Sequence, residues 1–296
     1  MKETHCPLCS CRDLTGSWLK LTYNGKQFDY AECAGCGSLI CEPMPDEATL
    51  TEMYDLSYCE PEAASPGEFE TPDKFSEVLS FLKGVEPGVF IDYGCGEGKL
   101  LLDVKALGWR AVGVDFNPEF AAEARDAGIE IRHITETLGF QADVVHLGDV
   151  LEHLTDLDSQ FPKIMELVKD GGLIVAHGPL EGNANLFFRV IRFGKKLRGN
   201  PVTEMAPFHV ILATTEGQKG LFDRSGLEQI EYRISEIAFP APDKLSLADL
   251  RSPRTVGMYA VRKLSQGATS FAGNKTGNRY FYIGRKGGTP PPRSRV

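Results

Sequence analysis

Residues 89–101 read Val-Phe-Ile-Asp-Tyr-Gly-Cys-Gly-Glu-Gly-Lys-Leu-Leu, and this stretch decides the fold of the chain. Its first three residues are apolar and lead into Asp92, as in a buried strand of a parallel sheet. Glycine then falls at every second position, at Gly94, Gly96 and Gly98, and a backbone without Cβ atoms can turn sharply and approach a ligand closely. A helix predicted over 97–107 directs its positive N-terminal end at this loop. The stretch therefore predicts a strand, a ligand-binding loop and a helix.

The spacing of the glycines distinguishes between two classes of cofactor. A dinucleotide fingerprint reads G-x-G-x-x-G, and in that register the third glycine would fall at position 99, which is Lys99. The sequence instead reads D-x-G-x-G-x-G, with Asp92 at the end of the strand. A carboxylate there suits a ligand with an ammonium group and repels a pyrophosphate, and S-adenosylmethionine has an amino-acid end and no phosphate. The alternative is a tight glycine turn that binds no ligand.

Two further motifs follow the glycine loop in order. Residues 111–118 predict a second strand that ends at Asp115, roughly twenty residues after the loop, where a carboxylate can accept hydrogen bonds from ribose hydroxyls. Residues 143–154 read D-V-V-H-L-G-D-V-L-E-H-L, a strand that runs into an acid and then into Glu-His. Over residues 74–263 the three motifs resemble those of class I S-adenosylmethionine-dependent methyltransferases of the small-molecule type, related to the ubiquinone O-methyltransferases. The resemblance implies S-adenosylmethionine as cofactor, with these cofactor-binding residues: Asp92, Gly94, Cys95, Gly96, Gly98, Asp115, Phe116 and Asp149.

Two C-x-x-C pairs near the start of the chain supply four thiols: Cys6, Cys9, Cys33 and Cys36. Two such pairs are the ligand set of a tetrahedral zinc ion with a structural role. The segment 17–30 between them alternates in polarity and predicts a hairpin with its turn at Asn24 and Gly25. This part of the chain is therefore predicted to be a zinc-ribbon-like unit.

Other residues near the two pairs leave alternatives open. The four thiols can instead be unligated core cysteines, and Cys11 can replace Cys9 in a different register. Cys41 lies in an apolar strand and is predicted to be a packed thiol, and His5 is predicted to be a bystander. The continuation C-G-S-L-I-C-E-P-M-P over 36–45 resembles the opening of sugar-modifying and natural-product methyltransferases. Ribosomal-RNA guanine methyltransferases also begin with a C-P-L-C zinc unit and remain an alternative, although this chain lacks the histidine usual among their ligands.

Strand and helix patterns alternate after residue 73, which predicts a parallel sheet with helices on both faces. The predicted fold is α/β, a Rossmann-like seven-stranded methyltransferase sheet preceded by a small zinc-binding domain. Segments 227–234 and 255–262 are predicted to be its last two strands. The predicted divisions are a zinc-ribbon-like unit at 1–60, a linker at 61–72, a methyltransferase domain at 73–263, and a basic Gly/Pro-rich tail at 264–296 that is disordered apart from a short piece at 280–283.

Three histidines are candidates for the base that takes a proton from a methyl acceptor. His153 follows Glu152 just past the fourth strand, and His177 ends the fifth. His209 follows Phe208 at a position where related methyltransferases often carry a histidine facing the acceptor. For each, the alternative is a structural, hydrogen-bonded histidine. The sequence contains no D-x-x-D magnesium motif, so it does not support a metal-assisted catechol mechanism.

The distribution of charged residues along the chain indicates what kind of molecule the protein binds. The net charge is −9, yet residues 262–296 carry eight basic residues and no acidic one, so the rest of the chain is strongly acidic. An acidic body argues against broad contact with a nucleic-acid backbone. The basic helix predicted over 185–198 is either an amphipathic lid with a solvated face or a cap whose cations bind a substrate phosphate. We therefore expect a small-molecule acceptor, either a sugar or a nucleotide-linked sugar.

The location of the protein is predicted from apolar runs and cysteine use. No run approaches the roughly 20 apolar residues needed to cross a bilayer, and no signal-peptide pattern is present. A cytoplasmic protein without membrane association is expected, with its eight cysteines as metal ligands or free thiols. The predicted function is methyl transfer, and the alternatives are a ribosomal-RNA methyltransferase and a non-catalytic, cofactor-binding scaffold.

Overall fold

A computed structural model describes residues 5–54, 75–183, 185–197, 199, 202–237, 244–246, 249–271 and 276–287. The predicted linker at 61–72 lies outside these residues.

The N-terminal unit begins with an antiparallel hairpin. Strand β1 (Leu14–Tyr23) turns at Asn24 and Gly25 into β2 (Lys26–Cys33), as the sequence predicts, and both turn residues have positive φ, 47° and 74°. Strand β3 (Leu39–Glu42) pairs with β2, and helix α1 (Glu47–Met53) follows. Asp46 starts this helix because its side chain accepts a hydrogen bond from the Thr49 amide.

The second part of the chain alternates between helices and strands. Its elements are α2 (Ser76–Leu82), β4 (Val89–Tyr93), α3 (Lys99–Ala106), β5 (Arg110–Asp115), α4 (Ala122–Asp126), β6 (Glu130–His133), β7 (Ala142–Gly148), α5 (Leu157–Glu166), β8 (Val168–Pro179), α6 (Leu186–Leu197), β9 (Thr203–Glu204), β10 (Ile211–Leu212), α7 (Thr215–Arg224), β11 (Leu227–Ser235), α8 (Pro253–Phe271) and β12 (Arg279–Lys286). Short 3₁₀ turns at 118–121, 151–153 and 249–251 separate some of them.

Seven of these strands form one sheet in the order β11-β12-β8-β7-β4-β5-β6. The five strands from β8 to β6 pair in parallel, whereas β12 pairs antiparallel with both β11 and β8. The α/β, seven-stranded Rossmann-like prediction is confirmed. The carboxyl ends of β4, β5 and β7 lie at one edge of the sheet, where ligands bind in such folds.

Two predictions for the C-terminal part are wrong. The segment 255–262 is not a strand but part of the 19-residue helix α8, which starts with Pro253, a residue suited to the first turn of a helix. The tail was predicted to be disordered apart from 280–283, and that piece is ordered as part of strand β12; residues 264–271 are also ordered, as the end of α8, so the sheet extends beyond the expected boundary at residue 263. Strand β12 is buried between two neighbours through long-range pairing, which local composition does not reveal. Among the described helices, none combines the length and the apolar character that a membrane span requires.

The N-terminal sheet is completed by strands from the second part of the chain. Its order is β10-β3-β2-β1-β9, with Ile211 opposite Ile40 and Leu21 opposite Thr203. The same cluster of buried side chains continues from this sheet into the larger one. A division at residue 60 therefore does not separate two self-contained sheets.

Candidate active site and metal centre

The glycine loop after β4 has the backbone conformation that its residues predict. Gly94, Gly96 and Gly98 have φ values of 79°, 51° and 73°, in the left-handed region that favours glycine. A Cβ on Gly94 would lie 2.5 Å from a methyl carbon of Val150, and one on Gly98 would lie 2.7 Å from the Cβ of Ala124. A Cβ on Gly96 would meet no atom within 4 Å. Two glycines thus allow close packing, while the middle one faces open space that a ligand can enter.

Asp115, at the end of β5, holds this loop. Its carboxylate accepts hydrogen bonds from the backbone amides of Gly96 and Asn117, both at 2.8 Å. Burial raises the pKa of Asp115, and the hydrogen bonds from Asn117 and Gly96 oppose that rise. The neighbouring Phe116 ring lies 6.3 Å from the ring of Tyr54, which places an aromatic wall beside the loop. The expected ribose-binding carboxylate therefore also fixes the loop backbone.

Asp92, at the end of β4, is paired with a histidine that the sequence analysis did not assign. The register places Asp92 opposite His146 of β7, and the Asp92 carboxylate lies 2.7 Å from the His146 Nδ1. Both side chains are buried, at 6% and 2% exposure. The sequence gives one hint of this pair, because His146 is a polar residue in the middle of an otherwise apolar strand.

A second unassigned residue, Arg279, comes from β12. Its guanidinium lies 2.8 Å from the Asp149 carboxylate and 3.1 Å from His177 Nδ1. Asp149 has a φ of 54°, unusual outside glycine, and its amide donates to the His177 carbonyl oxygen. Cys95 is a half-buried loop thiol whose pKa is raised by burial, so it has no features of a nucleophile.

Two of the three candidate base histidines, His153 and His209, lie together near Tyr54. The rings of His153 and His209 are 4.8 Å apart, edge to face, and ligand atoms of Glu152, His153 and His209 all lie within 4.8 Å of one another. The Tyr54 hydroxyl is 2.9 Å from His153 Nδ1. His177 lies on the sheet side instead, with its ring 5.0 Å from that of His146. The structure thus brings Glu152 and two of the candidate histidines together in one cluster.

The electrostatics of this cluster are strongly perturbed. Burial and the nearby Asp149 raise the pKa of Glu152 to about 8. Burial and the charge of His209 lower the pKa of His153 to about 3. Burial disfavours the charged form of His209, but the Glu181 carboxylate outweighs this effect and the pKa of His209 is raised. Such opposed shifts in one cleft are typical of functional sites.

The basic helix α6 contacts the N-terminal unit. Arg192 lies 2.9 Å from the Glu32 carboxylate, and its guanidinium lies 5.7 Å from the centre of the Trp18 ring. The Arg192 cation is therefore engaged with a carboxylate, and the amphipathic-lid interpretation accounts for this contact better than phosphate binding does.

The four predicted zinc ligands converge on one point. The Sγ atoms of Cys6 and Cys36 are 3.7 Å apart, and those of Cys9 and Cys33 are 3.5 Å apart. A tetrahedral site with Zn–S bonds of about 2.3 Å spaces its sulfur atoms by about 3.8 Å. The structure groups Cys9, not Cys11, with the other three thiols. This geometry fits a zinc ion.

Part of the chain is similar to a known protein family. Residues 69–208 match the model of a family described as a methyltransferase domain. An alignment 94 residues long is 32% identical to a ubiquinone biosynthesis O-methyltransferase of Chelativorans sp. strain BNC1 and covers 28% of this chain and 37% of that protein. The chain thus spans well under half the length of that curated relative.

Two solved structures share the fold at low sequence identity. The (4+2)-cyclase SpnF superposes with a TM-score of 0.52 at 16% identity, over 83% of this chain and 99% of that one. Magnesium protoporphyrin IX methyltransferase from Synechocystis PCC 6803, solved with SAH bound, gives 0.51 at 14% identity, over 81% and 100%. Together, the sheet order and the glycine loop show a Rossmann-like fold, and residues 69–208 within it match the methyltransferase-domain family model.

Proposed function

We propose that the protein transfers a methyl group from S-adenosylmethionine to a small-molecule acceptor. The observation that carries this proposal is the open space at Gly96, whose amide donates to the buried Asp115, on a loop that follows the buried Asp92 and has a glycine register unsuited to a pyrophosphate. The family match supports a methyltransferase, and the named relative is an O-methyltransferase. Fold alone does not determine the chemistry, because the same fold occurs in a cyclase.

The chain's residues take distinct roles toward the cofactor. S-adenosylmethionine supplies an electrophilic methyl group on a sulfonium ion. Asp92, held by His146, faces its ammonium group, and Asp115 accepts from its ribose hydroxyls. Gly94, Gly98 and the remaining predicted contacts, Cys95, Phe116 and Asp149, shape the walls of the cofactor site.

The acceptor binds at the opening formed by Tyr54, His153 and His209. If the acceptor is a hydroxyl, its proton must leave before or during attack on the methyl carbon. The polar cluster of Glu152, His153 and His209 is the part of the site suited to this task, and the third predicted base, His177, lies against His146 instead. A sugar or nucleotide-linked sugar remains the acceptor class that the N-terminal sequence pattern favours.

Zinc has a structural role in this proposal. A complete set of four thiolates leaves no open coordination position, which is the arrangement of a structural site. Cys6, Cys9, Cys33 and Cys36 would hold one ion, and Cys41 and Cys11 would not take part.

Asp115→Asn should weaken binding of S-adenosylmethionine by more than tenfold. The amide places an NH₂ group where the carboxylate accepted hydrogen bonds, and charged hydrogen bonds are worth about 1.5–3 kcal/mol each. Isothermal titration calorimetry measures the affinity, with Asp103→Asn on the exposed face of α3 as the matched control. Equal affinity in the two variants would show that the cofactor lies elsewhere.

The acceptor class is tested with labelled donor in three separate sets. One set offers phenolic and catechol-like small molecules, one offers sugars and nucleotide-linked sugars, and one offers ribosomal RNA. Label in either small-molecule set supports the proposal, and the set that is labelled identifies the acceptor class. Label only in RNA would establish the RNA methyltransferase instead. Cofactor binding without transfer in any set would favour a scaffold.

A further inference from the structure

We propose that His146 is a positioning residue, which directs the Asp92 carboxylate at the ammonium group of the cofactor and so makes binding selective for the cofactor's amino-acid end. His177 and Arg279 hold His146 in place from the two strands beyond it. The inference rests on the proposed cofactor, S-adenosylmethionine. It gives His177, one of the predicted bases, a task inside the sheet instead.

The four side chains form a row across four neighbouring strands of the larger sheet. Strands β4, β7, β8 and β12 lie side by side, and Asp92 of β4 stands directly opposite His146 of β7. Gly148, two residues after His146 and on the same face, stands opposite His177 of β8. On β12, Arg279 lies two residues before the direct partner of His177. Such diagonal neighbours are within reach of long side chains.

The hydrogen bonds at the two ends of the row have a defined direction. A carboxylate oxygen only accepts, so His146 Nδ1 carries a proton and donates it to Asp92 Oδ1 at 2.7 Å. A guanidinium only donates, so His177 Nδ1 accepts from Arg279 at 3.1 Å. Arg279 is fixed in turn by Asp149, at 2.8 Å. The row therefore ends in a carboxylate on each side.

Packing fixes the His146 ring between these ends. The ring is buried and lies 21° from parallel to the Phe90 ring, with the ring centres 6.0 Å apart. The His177 ring is 5.0 Å away. A Cβ on Gly148 would lie 2.6 Å from His146 Cε1 and 2.8 Å from His177 Nε2, so a side chain at this position would separate the two rings. The glycine lets His177 support the ring that holds Asp92.

The Asp92 carboxylate keeps one oxygen for a ligand. His146 bonds to Oδ1, and within the described part of the chain Oδ2 accepts no hydrogen bond. Asp92 is 4% exposed, and a carboxylate that is so deeply buried is unfavourable unless it is paired and hydrogen-bonded. An ammonium group supplies both the opposite charge and the missing donors. Because Asp92 ends the strand before the glycine loop, the fixed ring holds Oδ2 where the cofactor's amino-acid end is proposed to bind.

Three thioethers of the same adenosine test this assignment by calorimetry on the full chain. S-adenosylhomocysteine carries the ammonium and carboxylate groups, S-adenosyl-3-thiopropylamine keeps the ammonium group, and 5′-methylthioadenosine has neither. In His146→Leu and His146→Phe, which lack the donor, the first two ligands should bind about tenfold more weakly or worse, since a charged hydrogen bond is lost. Binding of methylthioadenosine should change less than about threefold.

Three further variants separate positioning from support of the sheet. His146→Asn keeps an N–H donor near the place of Nδ1 and should bind all three ligands within about threefold of the unaltered chain. His177→Leu should weaken the same two ligands selectively by about three- to tenfold, because His146 loses a neighbour and keeps its donor. Val144→Ala is the matched control, since Val144 is buried in the same strand outside the row. It should leave the ratio of the affinities for S-adenosylhomocysteine and methylthioadenosine unchanged.

The outcomes separate this inference from the proposed function. Thermal melts show which variants fold; the leucine and phenylalanine replacements pack differently, and if neither folds, His177→Leu decides by the same comparison. Equal losses for all three ligands, or no loss for S-adenosylhomocysteine, would overturn the role of His146 and leave the methyltransferase proposal standing. An unaltered chain that binds none of the three ligands would refute the cofactor site and this inference with it.

Discussion

A chain that ends at residue 275, before β12, is expected not to fold, whereas a chain that ends at Gly287 should be as stable as the full chain. Strand β12 lies inside the seven-stranded sheet, so its loss separates β11 from β8. Its four buried side chains, Tyr280, Phe281, Tyr282 and Ile283, are at most 5% exposed. Burial of each contributes about 1.5–3 kcal/mol, and their sum is comparable with a typical domain stability of about 5–15 kcal/mol.

A single substitution tests the position of β12 without removing the strand. The Tyr282 ring stacks on Phe222 of α7 with centroids 3.8 Å apart and planes 7° from parallel. Tyr282→Ala should therefore lower the free energy of unfolding by about 3–5 kcal/mol, the usual cost of removing a buried aromatic ring. Urea denaturation gives this value, with Glu228→Ala on the exposed face of β11 as the control. A change below about 1 kcal/mol in Tyr282→Ala would mean that β12 does not occupy this position.

Replacing Cys33 and Cys36 together by serine should release the zinc ion and unfold the N-terminal sheet. Structural zinc sites contribute an apparent free energy of about 10–16 kcal/mol at neutral pH, which a small sheet cannot lose and remain folded. Unfolding of this sheet should also disturb the acceptor side of the cleft, because the Thr214 hydroxyl donates to the Cys36 carbonyl oxygen at 2.6 Å. The Tyr30 hydroxyl likewise donates to the His209 carbonyl oxygen at 2.7 Å.

Cys11→Ser is the matched control for the zinc prediction. Cys11 lies next to the cluster in sequence but outside it in space, so elemental analysis should still find one zinc per chain. Retention of zinc in the Cys33→Ser, Cys36→Ser variant would show that other ligands hold it. Loss of zinc in Cys11→Ser would favour the alternative register.

The sequence predicts the central strands well because their signal is local. Residues 89–93 and 142–148 are short, mainly apolar segments in which an acid stands at or just after the end of the strand, and each is a strand buried on both faces. The hairpin turn at Asn24 and Gly25 is equally local. The segment 255–262 was predicted to be a strand because Thr255, Val256 and Val261 favour strands. It lies instead in the helix that starts at Pro253.

The sequence does not show which side chains meet across neighbouring strands of the sheet. His146 meets Asp92, and Arg279 meets Asp149, only because strands far apart in the chain are neighbours. Arg279 lies among Gly- and Arg-rich residues whose composition resembles a disordered tail. Likewise, Glu152 and His153 are adjacent in the motif, but the approach of His209 depends on β10 pairing with β3.

The pairing of β10 with β3 also sets an order for assembly during synthesis on the ribosome. The N-terminal hairpin emerges first, yet its sheet lacks β9 and β10 until residue 212 has been made. The larger sheet in turn lacks its strand between β11 and β8 until residue 286 has been made. Contacts between such distant segments slow folding and leave strand edges exposed in the meantime. Early zinc capture by the first four thiols would then be the event that keeps the nascent hairpin compact while the rest of the chain is translated.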